Sequence, residues 1–281
     1  MPPETAGRLI AEARRAFEAA KIDTAALDAR LLLQHAAGLT HEEIAADPDR
    51  AVGAAAAARF RALAVRRARR EPVSRILGER EFHGRGFEVT AAVLDPRPDT
   101  EILIDTALAL RPAPRRLLDL GTGSGAIIVT LLAEWPDATG IATDLSAAAL
   151  AVAARNARRH RVNGRVDFIH GNWFESVAGR FDLIVSNPPY IPLGEIAGLA
   201  ADVRDFDPPR ALDGGPDGLE AYRRIAARAG AHLEPQGAVL VEIGAGQGEA
   251  VEAIFRAAGL SCRDRVMDLG GHLRCLGFYQ A

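Results

Sequence analysis

Hydrophobic residues in the first third of the chain recur at the spacing of a helix. They form one stripe of Leu9, Ile10, Ala13 and Phe17 and a second stripe of Leu27, Leu31 and Leu32. Thr40 followed by Glu43 is a capping-box pattern, which predicts the start of a third helix. A fourth segment with helical spacing runs from about Ala51 to Arg70. Together these segments predict a small helical domain over residues 1–74.

The pattern changes to short alternating runs between residues 78 and 96. Two such runs flank Gly84-Arg85-Gly86, and this arrangement predicts two strands joined by a turn. We therefore expect residues 75–96 to form a β-hairpin linker. Asp99-Thr100 then indicates the cap of a helix over about 101–110.

From residue 115 onward, apolar runs of strand length alternate with helical patterns. The predicted strands are residues 117–120, 140–143, 166–169, 181–186 and 238–243, and the helices are about 126–134, 146–160, 217–233 and 247–258. Such alternation is typical of an α/β domain, a doubly wound parallel sheet with helices on both faces. Two closing strands, at about 266–268 and 274–279, follow each other directly. We therefore expect a mostly parallel sheet within a domain of residues 97–281.

Composition narrows the classes of protein. With a net charge of −3, the chain lacks the strong positive field that is expected of a general nucleic-acid-binding protein. No apolar run approaches the ~18 residues that a membrane-spanning helix needs. Two cysteines, Cys262 and Cys275, make no disulfide framework and fit a reducing compartment, so we expect a cytoplasmic protein. The histidines and cysteines show no metal-ligand spacing, so we expect no metal. Nothing demands more than a monomer.

Six arginines and no acidic residue lie between Arg59 and Arg70. This cluster can be a docking face for a ribosomal or RNA-like surface, or the solvated face of a helix. The sequence leaves both interpretations open.

A glycine-rich segment, Gly121-Thr122-Gly123-Ser124-Gly125, follows the first predicted strand of the sheet. Ligands of open α/β sheets bind at the carboxyl ends of strands, and glycines let the backbone approach them closely. Gly121, Gly123 and Ala126 also satisfy the dinucleotide pattern, so the segment alone does not separate a dinucleotide from S-adenosylmethionine. Asp144, at the end of the second strand, can bind a ribose in either case.

Asp119 lies two residues before the first glycine and favours S-adenosylmethionine. A carboxylate there repels a pyrophosphate and attracts the positive ammonium and sulfonium groups. Asn172 and Trp173 follow the third strand. We expect the Trp173 ring to pack on adenine and the Asn172 side chain to bond its amino group; for Trp173 the alternative is core packing.

Asn187-Pro188-Pro189-Tyr190 follows the fourth predicted strand. Two prolines cannot continue a β-ladder, so the chain leaves the sheet as a stiff loop. The Asn187 side-chain carbonyl and the Pro188 backbone carbonyl can each accept one N–H of a planar NH2 group. Two acceptors localise the nitrogen lone pair and direct it toward a methyl group, and Tyr190 can stack on the planar group. The segment predicts methylation of an amide or aromatic amine nitrogen.

Taken together, the motifs resemble the release-factor glutamine methyltransferase family over nearly the whole chain. The resemblance also rests on residues 27–32, 71–78 and 211–219 and on Pro96-Arg97-Pro98-Asp99-Thr100-Glu101. It implies a Rossmann-like class I methyltransferase that uses S-adenosylmethionine. The implied substrate is the side-chain amide nitrogen (N5) of the glutamine in the Gly-Gly-Gln motif of peptide chain release factors, gripped in part by the helical domain.

The resemblance assigns roles to particular residues. Matched motif positions place the cofactor on Gly121, Thr122, Gly123, Ser124, Gly125, Asp144 and Trp173, to which we add Asp119, Asn172 and Asn187. They place the glutamine amide on Asn187, Pro188, Pro189 and Tyr190, with Asn187 and Pro188 as the catalytic acceptors. Two residues depart from the family pattern: Asn172 replaces an aspartate, and Asp95 replaces an apolar residue. Whether residues 97–101 close over the active site or only cap a helix stays open.

Three alternatives remain at the level of sequence. A ribosomal-protein glutamine methyltransferase has the same chemistry and another substrate protein. A nucleic-acid methyltransferase acting on adenine or guanine amino groups can use the same four-residue motif, although the net charge of −3 argues against it. The third alternative is a non-catalytic S-adenosylmethionine-binding factor, against which the intact Asn187-Pro188-Pro189 argues.

Overall fold

The computed structural model describes residues 4–110 and 113–280. Residues 1–3 and 281, at the outer ends of the predicted domains, and residues 111–112 lie outside the described residues. The chain divides into two compact units. The helical unit comprises the chain up to Gly78 together with Ala200–Phe206, and the sheet unit comprises Glu79–Leu199 and the chain from Asp207 onward. The helical unit thus extends past the predicted boundary at residue 74 and includes a distant segment.

The helices and strands have the following bounds. The helices are α1 (Ala6–Ala19), α2 (Ala25–Ala37), α3 (His41–Ala46), α4 (Ala54–Ala68), α5 (Val73–Leu77), α6 (Glu101–Ala109), α7 (Ala126–Glu134), α8 (Ala147–Arg159), α9 (Ala201–Arg204), α10 (Pro209–Leu212), α11 (Glu220–His232) and α12 (Gly248–Ala257). The strands are β1 (Glu79–Phe82), β2 (Arg85–Glu88), β3 (Arg116–Leu120), β4 (Thr139–Asp144), β5 (Val166–His170), β6 (Phe181–Ser186), β7 (Leu233–Glu242), β8 (Leu260–Met267) and β9 (Leu273–Gln280). Short 3-10 helices cover Pro98–Thr100 and Leu193–Gly198.

The helical unit has its own hydrophobic core, built from α1, α2, α4 and neighbouring segments. Its largest buried side chains are Leu9, Phe17, Leu32, Leu33 and Phe60. At α3 both hydrogen bonds of the predicted capping box are present. The predicted stripe on α2 is wrong in part, because Leu27 and Leu31 are exposed. The buried face of α2 instead carries Asp28 and three alanines beside Leu32 and Leu33, and it packs against α1 and α4.

Asp28 is buried because it pairs with Arg67. The Arg67 Nε and the Asp28 Oδ2 are 2.8 Å apart, and neither side chain is more than 8% exposed. A second bond joins Arg67 Nη1 to Asp202 Oδ2 on α9 at 3.0 Å, and Arg70 binds the other oxygen of Asp202. The distant segment is therefore held in the helical unit by two arginines.

The arginine cluster of α4 bonds mainly within its own unit. Acceptors inside the helical unit are bound by Arg59, Arg61, Arg66, Arg67 and Arg70. Only Arg69 of the six has no such bond among the described residues and is exposed. Most arginines of this cluster therefore stabilise the helical unit through hydrogen bonds and ion pairs.

A mostly parallel sheet forms the sheet unit, as predicted. Its strand order is β5-β4-β3-β6-β7-β9-β8, with the first five strands parallel and β9 and β8 antiparallel. Strand side chains alternate between two cores: Leu117 packs toward α6 and α7, whereas Leu118 packs toward α11 and α12. Both predicted closing strands are present, but β8 begins at Leu260 and not at residue 266. The predicted start was wrong because the half-exposed alternation of β8 obscures an edge strand in the sequence. The β-hairpin is β1–β2, and residues 75–77 belong to α5.

Candidate active site

Strands β3 and β6 are neighbours, so the loops that follow them begin side by side. Asp119 of β3 pairs in register with Val185 of β6. The buried Ser186 hydroxyl donates a hydrogen bond of 2.7 Å to the backbone carbonyl of Leu120. This register brings the glycine-rich loop next to Asn187, as expected where parallel strands end at one edge of a sheet.

Glycine is required in the loop after β3. Gly121, Gly123 and Gly125 have φ angles of +74°, +55° and +79°, a region that favours glycine. A Cβ atom at Gly125 would lie 3.0 Å from the Ala153 Cβ atom on α8. A Cβ atom at Gly123 would meet no atom within 4 Å, because it would project into open space. The glycines therefore shape a turn and leave room above it.

A cavity of about 820 Å³ opens at this edge within the sheet unit. This volume lies within the ~300–1,000 Å³ typical of cofactor and small-molecule sites. The predicted site residues that line it are Gly121, Thr122, Gly123, Ser124, Asp144, Asn172, Trp173, Asn187 and Pro189. The predicted residues that do not line it are Asp119, Gly125, Pro188 and Tyr190.

Asp144 lies at the end of β4, on the cavity wall. Its Oδ2 accepts from the Gly123 backbone N–H at 2.9 Å, and its Oδ1 accepts from the Ser146 N–H at 2.8 Å. Burial raises the pKa of Asp144, and these N–H bonds oppose the rise. Each oxygen keeps a lone pair, so the carboxylate holds the glycine loop and can still accept from a ribose hydroxyl. The cap of α8 is the side chain of Ser146.

Asp119 lies beneath the glycine loop and has no exposed surface. Its Oδ2 accepts the Thr122 hydroxyl at 2.6 Å, while its Oδ1 has no hydrogen-bond partner among the described residues. Burial raises the pKa of Asp119 to about 7, and the nearby Asp144 adds to the rise. From the sequence we expected this carboxyl to contact the cofactor directly, but its buried position beneath the loop does not allow that contact. Asp119 instead holds Thr122 in the loop.

Trp173 occupies a position that joins its two predicted roles. Its ring is partly buried against the core that contains Phe174, and it also lines the cavity. A Cβ atom at Gly121 would be 3.7 Å from the ring, so the indole stands directly beside the glycine loop. The backbone φ of +53° at Trp173 turns the chain sharply there. Asn172, next to it, also faces the cavity.

Asn187 contacts a residue that sequence spacing did not connect with it. Its Nδ2 donates a hydrogen bond of 2.9 Å to the hydroxyl oxygen of Thr100. Thr100 closes the 3-10 helix that leads into α6, and it is buried. The motif at residues 96–101 therefore takes part in the site and does not only cap a helix.

Arg97, in the same motif, also lines the cavity. Its Nη2 donates to the Asp207 Oδ2 at 2.5 Å, and the Asp207 side chain is almost fully buried. Pro208 and Pro209, directly after Asp207, line the cavity as well. The ion pair thus fixes one wall of the cavity. Asp95, the other residue that departs from the family pattern, is buried, and nothing in the structure explains the substitution.

The backbone of the loop after β6 rests on residues 211–219. Ile191 exchanges hydrogen bonds with Leu212 and Gly214, at 3.1 and 2.9 Å. A Cβ atom at Gly218 would lie 2.4 Å from the Tyr190 carbonyl oxygen, so only glycine fits there. The Gln247 side chain donates to that same carbonyl at 2.9 Å. These bonds hold the loop of Asn187 and Tyr190 in one conformation.

Glu242, the last residue of β7, lies beneath this loop with 1% of its surface exposed. The Tyr190 hydroxyl donates to its Oε1 over 3.5 Å. Burial raises the pKa of Glu242 to about 7, and the Thr100 hydroxyl and the Arg274 charge oppose the rise. Burial also raises the pKa of Tyr190 to about 12, so its hydroxyl remains a donor.

The described residues contain neither a group of metal ligands nor a helix that could span a membrane. Across residues 4–110 and 113–280, no three His, Cys, Asp or Glu side chains group as metal ligands do. Among helices of the same residues, none combines the length and apolar character that crossing a membrane requires.

Known proteins match both parts of the chain. Residues 8–78 match the PrmC N-terminal domain, and residues 94–198 match the methyltransferase small domain. A release factor glutamine methyltransferase from Agrobacterium fabrum is 48% identical over 95% of this chain and 94% of its own length. One from Cereibacter sphaeroides is 53% identical over 91% of each chain. The chain belongs to the release factor glutamine methyltransferase family.

Solved structures agree on the fold. A methyltransferase from Pyrococcus furiosus aligns with a TM-score of 0.54 at 22% identity, over 71% of this chain and 91% of that one. A ribosomal protein L11 methylase from Lactobacillus delbrueckii subsp. bulgaricus aligns with a TM-score of 0.50 at 20% identity, over 69% and 85%. At these identities the likeness concerns the fold alone, and it confirms the predicted Rossmann-like class I methyltransferase sheet.

Family membership decides what the glycine-loop pattern left open. The chain is a methyltransferase, and the dinucleotide interpretation of Gly121, Gly123 and Ala126 is set aside. Sequence reasoning left open whether residues 97–101 reach the active site and did not single out Thr100 among them, and it missed Glu242 beneath the Tyr190 loop. The signal for Glu242 was present: a lone carboxyl interrupts the apolar run of residues 238–243. For Thr100 the signal was the motif at residues 96–101, but its contact with Asn187 spans 87 residues and is not visible in local sequence.

Proposed function

We propose that this chain transfers a methyl group from S-adenosylmethionine to the side-chain amide nitrogen of the glutamine in the Gly-Gly-Gln motif of peptide chain release factors. The observation that carries the proposal is the opening of Asn187 onto the same cavity as the glycine loop. Relatives that carry the release factor glutamine methyltransferase name cover nearly the whole chain and support this substrate.

The cavity fits the proposed cofactor. Gly121 and Gly123 keep one wall free of side chains, and Asp144 offers carboxylate oxygens to ribose hydroxyls. Trp173 offers a ring face for adenine, with the Asn172 amide beside it. When bound there, S-adenosylmethionine supplies a methyl group made electrophilic by its sulfonium. Asp119 supports the loop from below through Thr122.

Asn187 is proposed to hold and orient the substrate amide. Its Nδ2 is engaged by Thr100, so its carbonyl oxygen is the atom free to accept a substrate N–H. The Pro188 carbonyl is proposed as the second acceptor, and the Tyr190 ring as a cover for the planar amide. Two acceptors localise the nitrogen lone pair and stabilise the positive charge that develops on nitrogen. No strong base is needed beforehand, because the methylated nitrogen is acidic and loses its proton readily.

The helical unit is proposed to contribute to recognition of the protein substrate, since its residues match the family's N-terminal domain. We expect the protein to act as a monomer in the cytoplasm, where release factors work. No nucleic acid is proposed as substrate.

To test the proposal, the purified protein is incubated with methyl-labelled S-adenosylmethionine and, in separate reactions, with release factor, ribosomal protein or DNA. We expect label in release factor alone, at the glutamine of Gly-Gly-Gln as located by mass spectrometry of peptides. A release factor whose motif glutamine is changed to alanine is the matched control and should stay unlabelled. Label in ribosomal protein or DNA, with none in release factor, would overturn the proposal.

A further inference from the structure

The Gln247 side chain lies where three loops of the sheet unit meet. Its Nε2 donates to the backbone carbonyl of Tyr190 at 2.9 Å and to that of Gly218 at 3.3 Å. Its Oε1 accepts the backbone N–H of Gly244 at 3.0 Å. These partners belong to the loop after β6, the loop before α11 and the loop after β7. One half-buried amide therefore joins three segments that are distant in the sequence.

The orientation of this amide follows from the chemistry of its partners. A backbone carbonyl can only accept and a backbone N–H can only donate. The NH2 end of Gln247 must therefore face Tyr190 and Gly218, and its carbonyl end must face Gly244. A half-turn of the amide would set its oxygen against two carbonyl oxygens and its NH2 against an N–H. The side chain is thus held in a single orientation, with both NH2 protons in use.

Packing around Gln247 leaves its amide no second position. A Cβ atom at Gly218 would lie 2.7 Å from the Gln247 Nε2. A Cβ atom at Gly244 would lie 2.8 Å from the Gln247 Oε1 and 3.0 Å from the Cδ2 atom of the Tyr190 ring. The amide is therefore enclosed between two glycines, and the Tyr190 ring borders the same space.

We propose that Gln247 is a positioning residue of the methyltransferase: by holding the Tyr190 carbonyl, it fixes residues 187–190 against the substrate amide. This inference rests on the proposed function. Gln247 is not among the described residues that line the cavity, so it acts through Tyr190 and not by touching a ligand. The Pro188 carbonyl lies two residues before Tyr190 on the same stiff segment, so a shift of Tyr190 also displaces the second acceptor. A misplacement of about 1 Å can lower a rate by about a hundredfold.

The central experiment compares Gln247→Glu with the wild type on release factor at pH 8, where glutamate is ionised. Glutamate keeps the shape and still accepts from Gly244, but its second oxygen repels the two carbonyls that the NH2 group bound. We expect kcat to fall about tenfold to a hundredfold. Binding of S-adenosylhomocysteine, measured by calorimetry, should stay within about twofold, because the glycine loop is held by Asp144 and not by Gln247.

Gln280→Glu is the matched control for this substitution. The Gln280 Nε2 likewise donates to a backbone carbonyl, that of Gly230, at 3.0 Å. It lies at the opposite end of the sheet, because Cys275 of the same strand β9 is the residue that pairs with Glu242 at the end of β7. This variant should retain the kcat of the wild type.

Gly244→Ala tests the same contact from the other side. Gly244 has no positive φ, so alanine suits its backbone, and the new methyl group would press on Gln247 and on the Tyr190 ring. It should reproduce the loss of kcat with S-adenosylhomocysteine binding retained. Gly230→Ala, on α11, is its control, since the added methyl group meets no atom within 4 Å. The double variant of Gln247→Glu and Gly244→Ala should be little slower than the slower single variant, because both disturb one contact.

The outcomes separate this inference from the proposed function. If the wild type leaves release factor unlabelled, the proposed function fails and the inference falls with it. If the wild type methylates release factor while folded Gln247→Glu, checked by circular dichroism, retains wild-type kcat, the positioning role is wrong. An affinity for S-adenosylhomocysteine that falls as far as kcat would likewise overturn it, since that result indicates a loosened fold and not a displaced substrate.

Discussion

The Ser186 hydroxyl reaches across from β6 to the Leu120 carbonyl, and both groups are fully buried at the point where two loops of the site begin. The bond holds the start of the glycine loop at a fixed distance from Asn187. We expect Ser186→Ala to lower the free energy of unfolding by about 1 kcal/mol and to lower kcat more than it weakens cofactor binding. Urea unfolding and steady-state kinetics measure the two effects. An unchanged kcat would show that the two loops keep their spacing without this bond.

Asn187→Ala removes the proposed acceptor for the substrate amide. We expect methyl transfer to fall by at least about a hundredfold, the scale seen when one transition-state hydrogen bond is lost. S-adenosylhomocysteine binding, measured by calorimetry, should change by less than about threefold, because the glycine loop and Asp144 remain. Asn163→Ala, in an exposed turn, is the control and should behave as wild type. Equal activity of Asn187→Ala and wild type would refute the assigned role.

Gly125→Ala tests the turn that shapes the cofactor cavity. The new Cβ would lie 3.2 Å from the Ala153 Cα atom, at a φ of +79° that strains any side chain. We expect a loss of about 1–3 kcal/mol in unfolding free energy and weaker binding of S-adenosylhomocysteine. Gly164→Ala has open space around it and should cost less than about 0.5 kcal/mol. Similar losses in both variants would mean that the turn tolerates a side chain.

Arg67→Met tests the buried ion pair with Asp28 in the helical unit. Removing one partner leaves a buried carboxylate, so we expect a loss of about 3–5 kcal/mol. Arg61→Met breaks a half-exposed pair with Glu4 and should cost far less, because solvent screens the two charges. The double variant of Arg67→Met and Asp28→Asn should recover part of the loss. Comparable melting temperatures for Arg67→Met and Arg61→Met would show that burial does not make the Arg67–Asp28 pair costlier to break.

Glu242 also sets a dependence of stability on pH. Its pKa is about 7 in the folded protein against 4.5 as the ordinary value, so the folded state binds the proton more tightly. Stability from this group is therefore fully present below about pH 4.5 and is lost as pH rises through about 7. A shift of this size corresponds to roughly 3 kcal/mol. Asp119, whose pKa is also raised to about 7, acts with the same sign.

We expect Glu242→Gln to be more stable than wild type at pH 8 and to gain little at pH 5. Urea unfolding at both pH values measures the difference. An equal change in stability at pH 5 and pH 8 would show that the carboxyl does not titrate in this range.

Local features of the chain were predictable from sequence. The glycine loop and the segment after β6 each carry their signal within five residues, and a parallel sheet places both at one edge. The capping box of α3 is equally local. The contact of Thr100 with Asn187 was not predictable, because it depends on where α6 packs against the sheet. Leu27 was misplaced for a similar reason: apolar character alone does not tell which face of α2 must admit Asp28.

Asp119 illustrates a different limit. Its charge and its distance from the glycines in sequence suggested a ligand contact, but strand alternation directs a side chain to one side of the sheet or the other. The side chain turned out to be covered by the loop. Closeness to the glycines in sequence therefore identified Asp119 as a residue of the site, but it did not show that Asp119 contacts Thr122 of the loop.

The return of α9 to the helical unit has a consequence for protein engineering. Because the unit is encoded in two stretches, a truncated fragment that ends at Gly78 would lack Asp202 and leave Arg67 and Arg70 without that carboxylate. Exchanging the unit between relatives requires both stretches to be replaced together.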